Sequence, residues 1–156
     1  MAEKLAEGDK APSFKLPTDS GEIATLADFK GRKLVIFFYP KADTPGCTTE
    51  SIAFSKLRQA FAKADTAIIG VSPDPVKAQC AFRDKHGLKV PLIADEKYTM
   101  AEAYGVWGEK SLYGRKFMGV TRTTFLIDAA GRIAHVWPKV KVDGHAEEVL
   151  AAAKAL

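Results

Sequence analysis

The stretch that most constrains this chain is residues 34–50, LVIFFYPKADTPGCTTE. Leu34 to Tyr39 is continuously apolar and aromatic, the pattern of a strand buried on both faces. Pro40 ends it. Thr44 and Pro45 then read as a helix start, with Thr44 as N-cap and Pro45 as the first helical residue. Cys47 therefore falls in the first turn. There, unpaired backbone N–H groups and the positive end of the helix dipole favour thiolate over thiol. A strand, a short loop and a helix that opens on a cysteine form a site for sulfur chemistry. A lone cysteine is more often a buried structural residue, but a core cysteine has no need of a Thr-Pro-Gly lead-in.

The rest of the chain reads as alternating elements. Residues 1–12 are expected to form an extended arm. Asp19-Ser20-Gly21 is a turn signal that joins 14–16 to 22–24 as a short hairpin. Thr25 caps a brief turn over Leu26–Phe29. After the cysteine, Phe54, Leu57 and Phe61 recur at helical spacing, so one helix is expected from Pro45 to about Ala64. Cys47 lies seven residues before Phe54 and shares its inward face, which predicts a thiol partly buried at the mouth of a pocket. Ala67–Val71 is a second apolar strand, followed by a helix from Pro75 to His86 that carries Cys80 and stops at Gly87. Val90–Ala94 is a third strand and Thr99–Tyr104 a short helix. Residues 105–119 are rich in glycine and read as a long surface loop with some hairpin character. Thr121–Ile127 and Arg132–Trp137 form a hairpin across Asp128–Gly131, and an alanine-rich helix closes the chain from about Gly144.

This order implies an α/β fold: a mixed central sheet with parallel βαβ pairs, an antiparallel portion and helices on both faces. Ligands in such sheets bind past the carboxyl ends of the strands, where loop 40–46 lies. The 156 residues suffice for one domain spanning 1–156. No apolar run is long enough to span a membrane. The polar N-terminus is neither a signal nor a transit peptide, so a cytoplasmic location is expected. The net charge of +4 is modest, and Lys and Arg alternate with acids, which argues against a nucleic-acid partner. Two cysteines do not staple a secreted fold; in a reducing compartment they are catalytic or two unrelated thiols. No cluster has metal-ligand spacing and no dinucleotide or phosphate fingerprint is present, so no metal or cofactor is expected. His86, His135 and His145 read as surface or helix-end residues. Trp107 and Trp137 read as packing anchors.

Ionisation of a thiol is not sufficient for a specialised enzyme; further acceleration needs groups that align the electrophile and stabilise the leaving charge. Thr44 offers a hydroxyl three residues before the sulfur. Arg122, at the start of the strand Thr121–Ile127, can supply fixed positive charge and bind an oxygen. Pro40, Thr44 and Cys47 together form the P-x-x-x-T-x-x-C signature of peroxiredoxins, and the string TPGCTTE resembles the peroxiredoxin Q subfamily, also called bacterioferritin comigratory protein. Gly8 to Phe14, Trp107-Gly108-Glu109-Lys110 and Arg122 to Asp128 extend the resemblance over most of the chain in the expected order. It implies a thioredoxin-like fold and reduction of hydrogen peroxide and organic hydroperoxides by a monomer. It makes Cys47 the peroxidatic cysteine, with Thr44 and Arg122 as its activators and Pro40 shaping the pocket. Glu50 falls on an acidic position of the family and is expected to orient the arginines or the loop; the alternative is a helix-surface glutamate.

In the implied cycle, Cys47 becomes a sulfenic acid, a second thiol condenses with it, and thioredoxin or a similar dithiol protein reduces the disulfide. Many members carry the resolving cysteine five residues after the first, where this chain has Ile52. Another branch places it in the following helix, one turn beyond Cys80, nearer Arg83. Cys80 is preferred as the resolving residue because the chain holds no other thiol; the alternative is a small apolar residue packed beside Val76. Two other function classes stand beside this one. A thioredoxin-type oxidoreductase would want Cys-x-x-Cys, but Thr48-Thr49-Glu50 follow Cys47. A redox sensor or holdase would use the same cysteine without turnover.

Overall fold

The computed structural model describes residues 5–156. The first four residues of the expected N-terminal arm lie outside that range. From Gly8 to Ala11 the arm runs along the edge of the sheet: Gly8 N–H donates to the Ile133 carbonyl, Ile133 N–H to that of Asp9 and Ala11 N–H to that of Gly131, at 2.8–2.9 Å. An otherwise open strand edge is thereby covered.

The elements follow in the order β1 (Lys15–Pro17), β2 (Ile23–Thr25), a single 3-10 turn (Leu26–Phe29), β3 (Lys33–Phe38), α1 (Pro45–Lys56), α2 (Arg58–Lys63), β4 (Thr66–Ser72) and α3 (Val76–His86). Then come β5 (Leu92–Ala94), α4 (Thr99–Ala103), β6 (Trp107–Leu112), β7 (Arg115–Val120), β8 (Thr123–Ile127), β9 (Ile133–Trp137) and α5 (His145–Ala155). The main sheet has the order β5-β4-β3-β8-β9. Its β3–β4 and β4–β5 pairs are parallel, and β8 and β9 continue it antiparallel. The apolar run at Leu34 is thus the central strand, with Leu34 opposite both Ala67 and Ile127.

Strand β3 is buried on both faces because its side chains alternate between two cores. Leu34, Ile36 and Phe38 point to a core shared with Ile69, Phe125 and Tyr104, next to α4. Val35, Phe37 and Tyr39 point to the other, which holds Cys47, Phe54, Phe61, Phe82 and Val149 from α1, α2, α3 and α5. Phe37 and Phe54 stack with centroids 4.7 Å apart, so the central strand carries the cysteine helix directly. The loop at 40–46 leaves the carboxyl end of this strand, as expected from the βαβ order.

Two elements differ from the sequence reading. The helix expected to reach Ala64 is interrupted at Leu57, where φ −92° and ψ 3° separate α1 from α2; Phe54 and Phe61 still face one core. The glycine-rich loop at 105–119 is a regular antiparallel ribbon, β6 with β7, turning at Tyr113-Gly114 with positive φ at both residues. Most of β7 is exposed, so burial leaves no alternating apolar pattern to mark it as strand.

Gly70 in β4 shows how closely the sheet is fitted beneath the site. A Cβ there would lie 2.7 Å from Phe37 Cζ and 3.1 Å from Leu92 Cδ2. Gly70→Ala is expected to destabilise the protein by about 1–3 kcal/mol, the usual penalty for overpacking a core. A urea-denaturation midpoint equal to that of the parent protein would show that the ring of Phe37 can yield.

Candidate active site

Thr44 occupies the N-cap position of α1 with extended backbone (φ −97°, ψ 156°), and Pro45 begins the helix. The Thr44 carbonyl accepts the Thr48 N–H at 2.8 Å, the first bond of the helix. Its hydroxyl makes no cap bond; it turns back and donates to the Lys41 carbonyl at 2.8 Å. The side-chain cap expected from the sequence is therefore absent, and the first-turn N–H groups at Gly46 and Cys47 are left without that partner. Cys47 is the third residue of the helix, in this same first turn. Loop 40–46 leads to it through Pro40, half-buried, and through Asp43, held at φ +61°.

Cys47 is fully buried, at 0% exposure, rather than partly open as its helical face suggested. It belongs to the apolar cluster of Val35, Phe37, Tyr39 and Phe54, and the guanidinium of Arg122 reaches it from the residue before β8. Arg122 Nη2 donates to Cys47 Sγ at 3.2 Å, and Nη1 donates to Glu50 Oε1 at 2.8 Å. Gly46 makes room for it: a Cβ there would sit 3.1 Å from Nη2. With both nitrogens engaged, the guanidinium has little freedom to retreat. Cys47 and Glu50, three residues apart, lie on one face of α1, and the arginine spans them.

Glu50 is 1% exposed, so the surface alternative for it fails. Its Oε1 is paired to Arg122, whereas Oε2 has no hydrogen-bond partner among the described residues. Burial therefore pushes the carboxyl up to about 7, against the opposing charge and hydrogen bond of Arg122.

The loop is also tied to α3, the helix of the second cysteine. Ala42 N–H donates to Asp74 Oδ2 at 2.7 Å, and Ser72 Oγ donates to the same oxygen at 2.7 Å. Asp43 receives Lys85 Nζ and lies against His86 Nε2, each at 2.8 Å; these partners hold the Asp43 carboxyl below its usual range. Beneath the loop, Tyr39 Oη donates to Gln79 Oε1 at 2.6 Å, while Gln79 Nε2 donates to Ser72 Oγ and to the Ile93 carbonyl, both at 2.8 Å. Burial raises the Tyr39 hydroxyl above its ordinary range. Gln79 and Phe82 form the inner face of α3. Cys80 beside them is a half-buried free thiol, four residues and one helical turn after the equally half-buried Val76.

The histidines divide. His86 ends α3, and His135 is exposed near Glu7. His145 begins α5, as a helix-end residue, but is buried: its Nε2 lies 2.8 Å from Thr124 Oγ1 and its ring meets Phe54 edge-on. Burial lowers its pKa. None of these contacts reaches Cys47. Both cysteines are free thiols. Sequence reasoning missed Gly46, Asp43, Asp74 and Gln79 as parts of the site. The only local signal was the polar run Ser72 to Asp74, which reads as a turn.

The state of Glu50 gives a pH dependence with a definite sign. A carboxyl raised from 4.5 to about 7 on folding binds its proton more tightly in the native state. Native stability then falls as pH rises between those values and levels off above them. Glu50→Gln removes this titration. Its stability relative to the parent protein is expected to grow across that window by up to about 3 kcal/mol. Denaturation at a series of pH values checks this; a constant difference would mean that Glu50 is ionised throughout.

Comparison with known proteins agrees with this arrangement. The model of the AhpC/TSA family matches residues 7–136. Bacillus subtilis peroxiredoxin Bcp is 46% identical over 143 residues, covering 92% of this chain and 91% of its own. The crystal structure of a Xylella fastidiosa PrxQ mutant superposes with a TM-score of 0.93 at 37% identity, over 99% of this chain and 98% of that one. A structure of Xanthomonas campestris bacterioferritin comigratory protein, described in terms of its alkyl peroxide reduction activity, matches at 44% identity with a TM-score of 0.87, over 91% and 90% of the two chains. Among the described residues no helix is long and apolar enough to cross a membrane. With its thioredoxin-like sheet and its cysteine at a helix head, the chain belongs to the AhpC/TSA family and stands among its Bcp (PrxQ) peroxiredoxins, peroxidases that act through a cysteine thiol.

Proposed function

We propose that Cys47 is the peroxidatic residue and that this chain reduces hydrogen peroxide and organic hydroperoxides through it. The observation that carries the assignment is the 3.2 Å contact from Arg122 to the sulfur. A guanidinium there stabilises negative charge on the attacking sulfur, and its face toward the site can hold a peroxide oxygen in line. The first-turn N–H groups of α1 add positive potential at the same place. Thr44, placed in the loop by its bond to Lys41, orients the substrate, and Pro40 bounds the space. Glu50 positions the guanidinium. The alkyl peroxide activity named for the Xanthomonas protein supports the organic hydroperoxides as substrates.

The sulfur anion attacks the terminal peroxide oxygen. The S–O bond forms as O–O breaks, and water or an alcohol leaves after protonation. The thiol of Cys80 then condenses with the Cys47 sulfenic acid, releasing water and forming a disulfide. A dithiol protein of the thioredoxin class reduces that bond by exchange. Two free thiols suit a reducing compartment, the cytosol. Since Cys47 is buried under the head of α1 and Cys80 is held half-buried on α3, the head of α1 and part of α3 must loosen before the sulfurs meet; a disulfide needs Cα atoms within about 7 Å.

Peroxide consumption coupled to a thioredoxin system tests the cycle. Cys47→Ser is expected to abolish turnover. Cys80→Ser should permit one rapid oxidation per chain and then stall. Sustained turnover by Cys80→Ser at the parent rate would assign resolution to another thiol, and activity in Cys47→Ser would remove the proposal as a whole.

A further inference from the structure

The two cysteines have matching surroundings. At Cys47, one arginine nitrogen donates to the sulfur at 3.2 Å and the other to the nearly buried Glu50 at 2.8 Å. At Cys80, Arg83 Nη2 donates to Sγ at 3.4 Å, and Arg83 Nη1 donates to Asp19 Oδ2 at 2.7 Å. Asp19 is only 7% exposed. It lies in the turn between β1 and β2 and is fixed against β5: its Oδ1 accepts the Leu92 N–H at 2.9 Å, and its own N–H donates to the Leu92 carbonyl at 2.8 Å. Arg83 Nε and Nη2 also donate to Asp84 Oδ1, at 3.1 and 3.0 Å. The Cys80 thiol itself points to Asp84 Oδ2 at 3.8 Å. A residue that merely fills space on an outer helix face needs no such frame.

We infer that Arg83 is the positioning residue of the second half-reaction, presenting the Cys80 sulfur as a nucleophile with Asp19 as its anchor. This rests on the reading of Cys80 as the resolving thiol. Cys80 and Arg83 are three residues apart and share a face of α3, so the guanidinium travels with the sulfur when that turn moves. In the step itself the Cys80 sulfur attacks the sulfur of the Cys47 sulfenic acid. The S–S bond forms and the S–O bond breaks. The departing oxygen leaves as water, carrying the thiol proton of Cys80, and no external oxidant or reductant enters. Arg83 stabilises the charge on the attacking sulfur before the bond forms, and Asp84 is placed to take up the proton in transit. Asp19 keeps the fork of the arginine aimed while the thiol waits.

The test separates the two half-reactions. Reduced protein receives one equivalent of hydrogen peroxide, and quenched samples are followed by mass for the Cys47 sulfenic acid and for the Cys47–Cys80 disulfide. Arg83→Gln is expected to form the sulfenic acid at the parent rate and the disulfide about tenfold or more slowly, the size of one charge-assisted hydrogen bond. Arg83→Lys retains the charge without the fork and should recover most of that loss. Asp19→Asn should fall between Arg83→Gln and the parent. Disulfide formation in Arg83→Gln at the parent rate overturns the role of Arg83 and leaves Cys80 as the resolving residue. A stable sulfenic acid with no Cys47–Cys80 bond in the parent protein overturns the reading of Cys80, and the inference with it. Equal slowing of both steps in Arg83→Gln and Arg83→Lys would show only a disturbed helix, and also overturns it.

Discussion

A sulfur atom in a protein interior can be met by a positive charge only if something fixes that charge where it is wanted. Here the fixing is done by Glu50. The carboxylate takes one arm of Arg122 at 2.8 Å and leaves the other on Cys47 at 3.2 Å. Burying an acid has a cost, visible in an Oε2 without a partner among the described residues and in a carboxyl raised to about 7. The return is an arginine held across one face of α1, with Gly46 cut back to admit it. Both core layers support this contact. The Phe37–Phe54 stack sets the helix on the central strand, and the antiparallel pairing of β8 with β3 brings Arg122 to the carboxyl end of the same strand.

The connection to α3 gives the fold its second property. The loop before Cys47 is bound at Ala42 to Asp74 and at Asp43 to Lys85 and His86. The first link is part of a polar network that reaches Gln79, next to Cys80 in sequence. The other is an exposed ion pair, whose individual contribution is small. The disulfide proposed between α1 and α3 would need both helices held for the first step and released for the second. A few modest links of this kind, with one firm hydrogen-bonded anchor below, suit that requirement.

Much of this was legible before any coordinates. Continuous apolar runs at Leu34–Tyr39 and Ala67–Val71 mark central parallel strands because both their faces are covered. Pro40, Thr44, Pro45 and Cys47 identify the site because they sit within eight consecutive residues. The ribbon of β6 and β7 reads only as a glycine-rich loop with some hairpin character, since an exposed strand has no face to imprint on the sequence. The partner of the cysteine is a different matter. Arg122 lies 75 residues away; its place at the start of a strand makes it a candidate charge, and the family resemblance is what assigns it to Cys47. The burial of Glu50 had a signal in its spacing of three from Cys47, but a single charged residue on an amphipathic helix reads more readily as surface. Asp19 and Arg83 could not have been paired from spacing, because their meeting depends on how the β1–β2 turn docks on β5.

The account stands or falls on Arg122. Its most direct test is the stopped-flow rate constant for oxidation of Cys47 by hydrogen peroxide in the parent protein, in Arg122→Gln and in Arg122→Lys. The arrangement of sulfur, guanidinium and carboxylate predicts a loss of about 100-fold or more for Arg122→Gln, comparable to removing a preorganised donor from a reacting centre. Little of it should return in Arg122→Lys, because one ammonium cannot span both Sγ and Oε1 with the same geometry. A rate in Arg122→Gln within about threefold of the parent would contradict the account, since a change that small is under 1 kcal/mol and less than one charge-assisted hydrogen bond supplies.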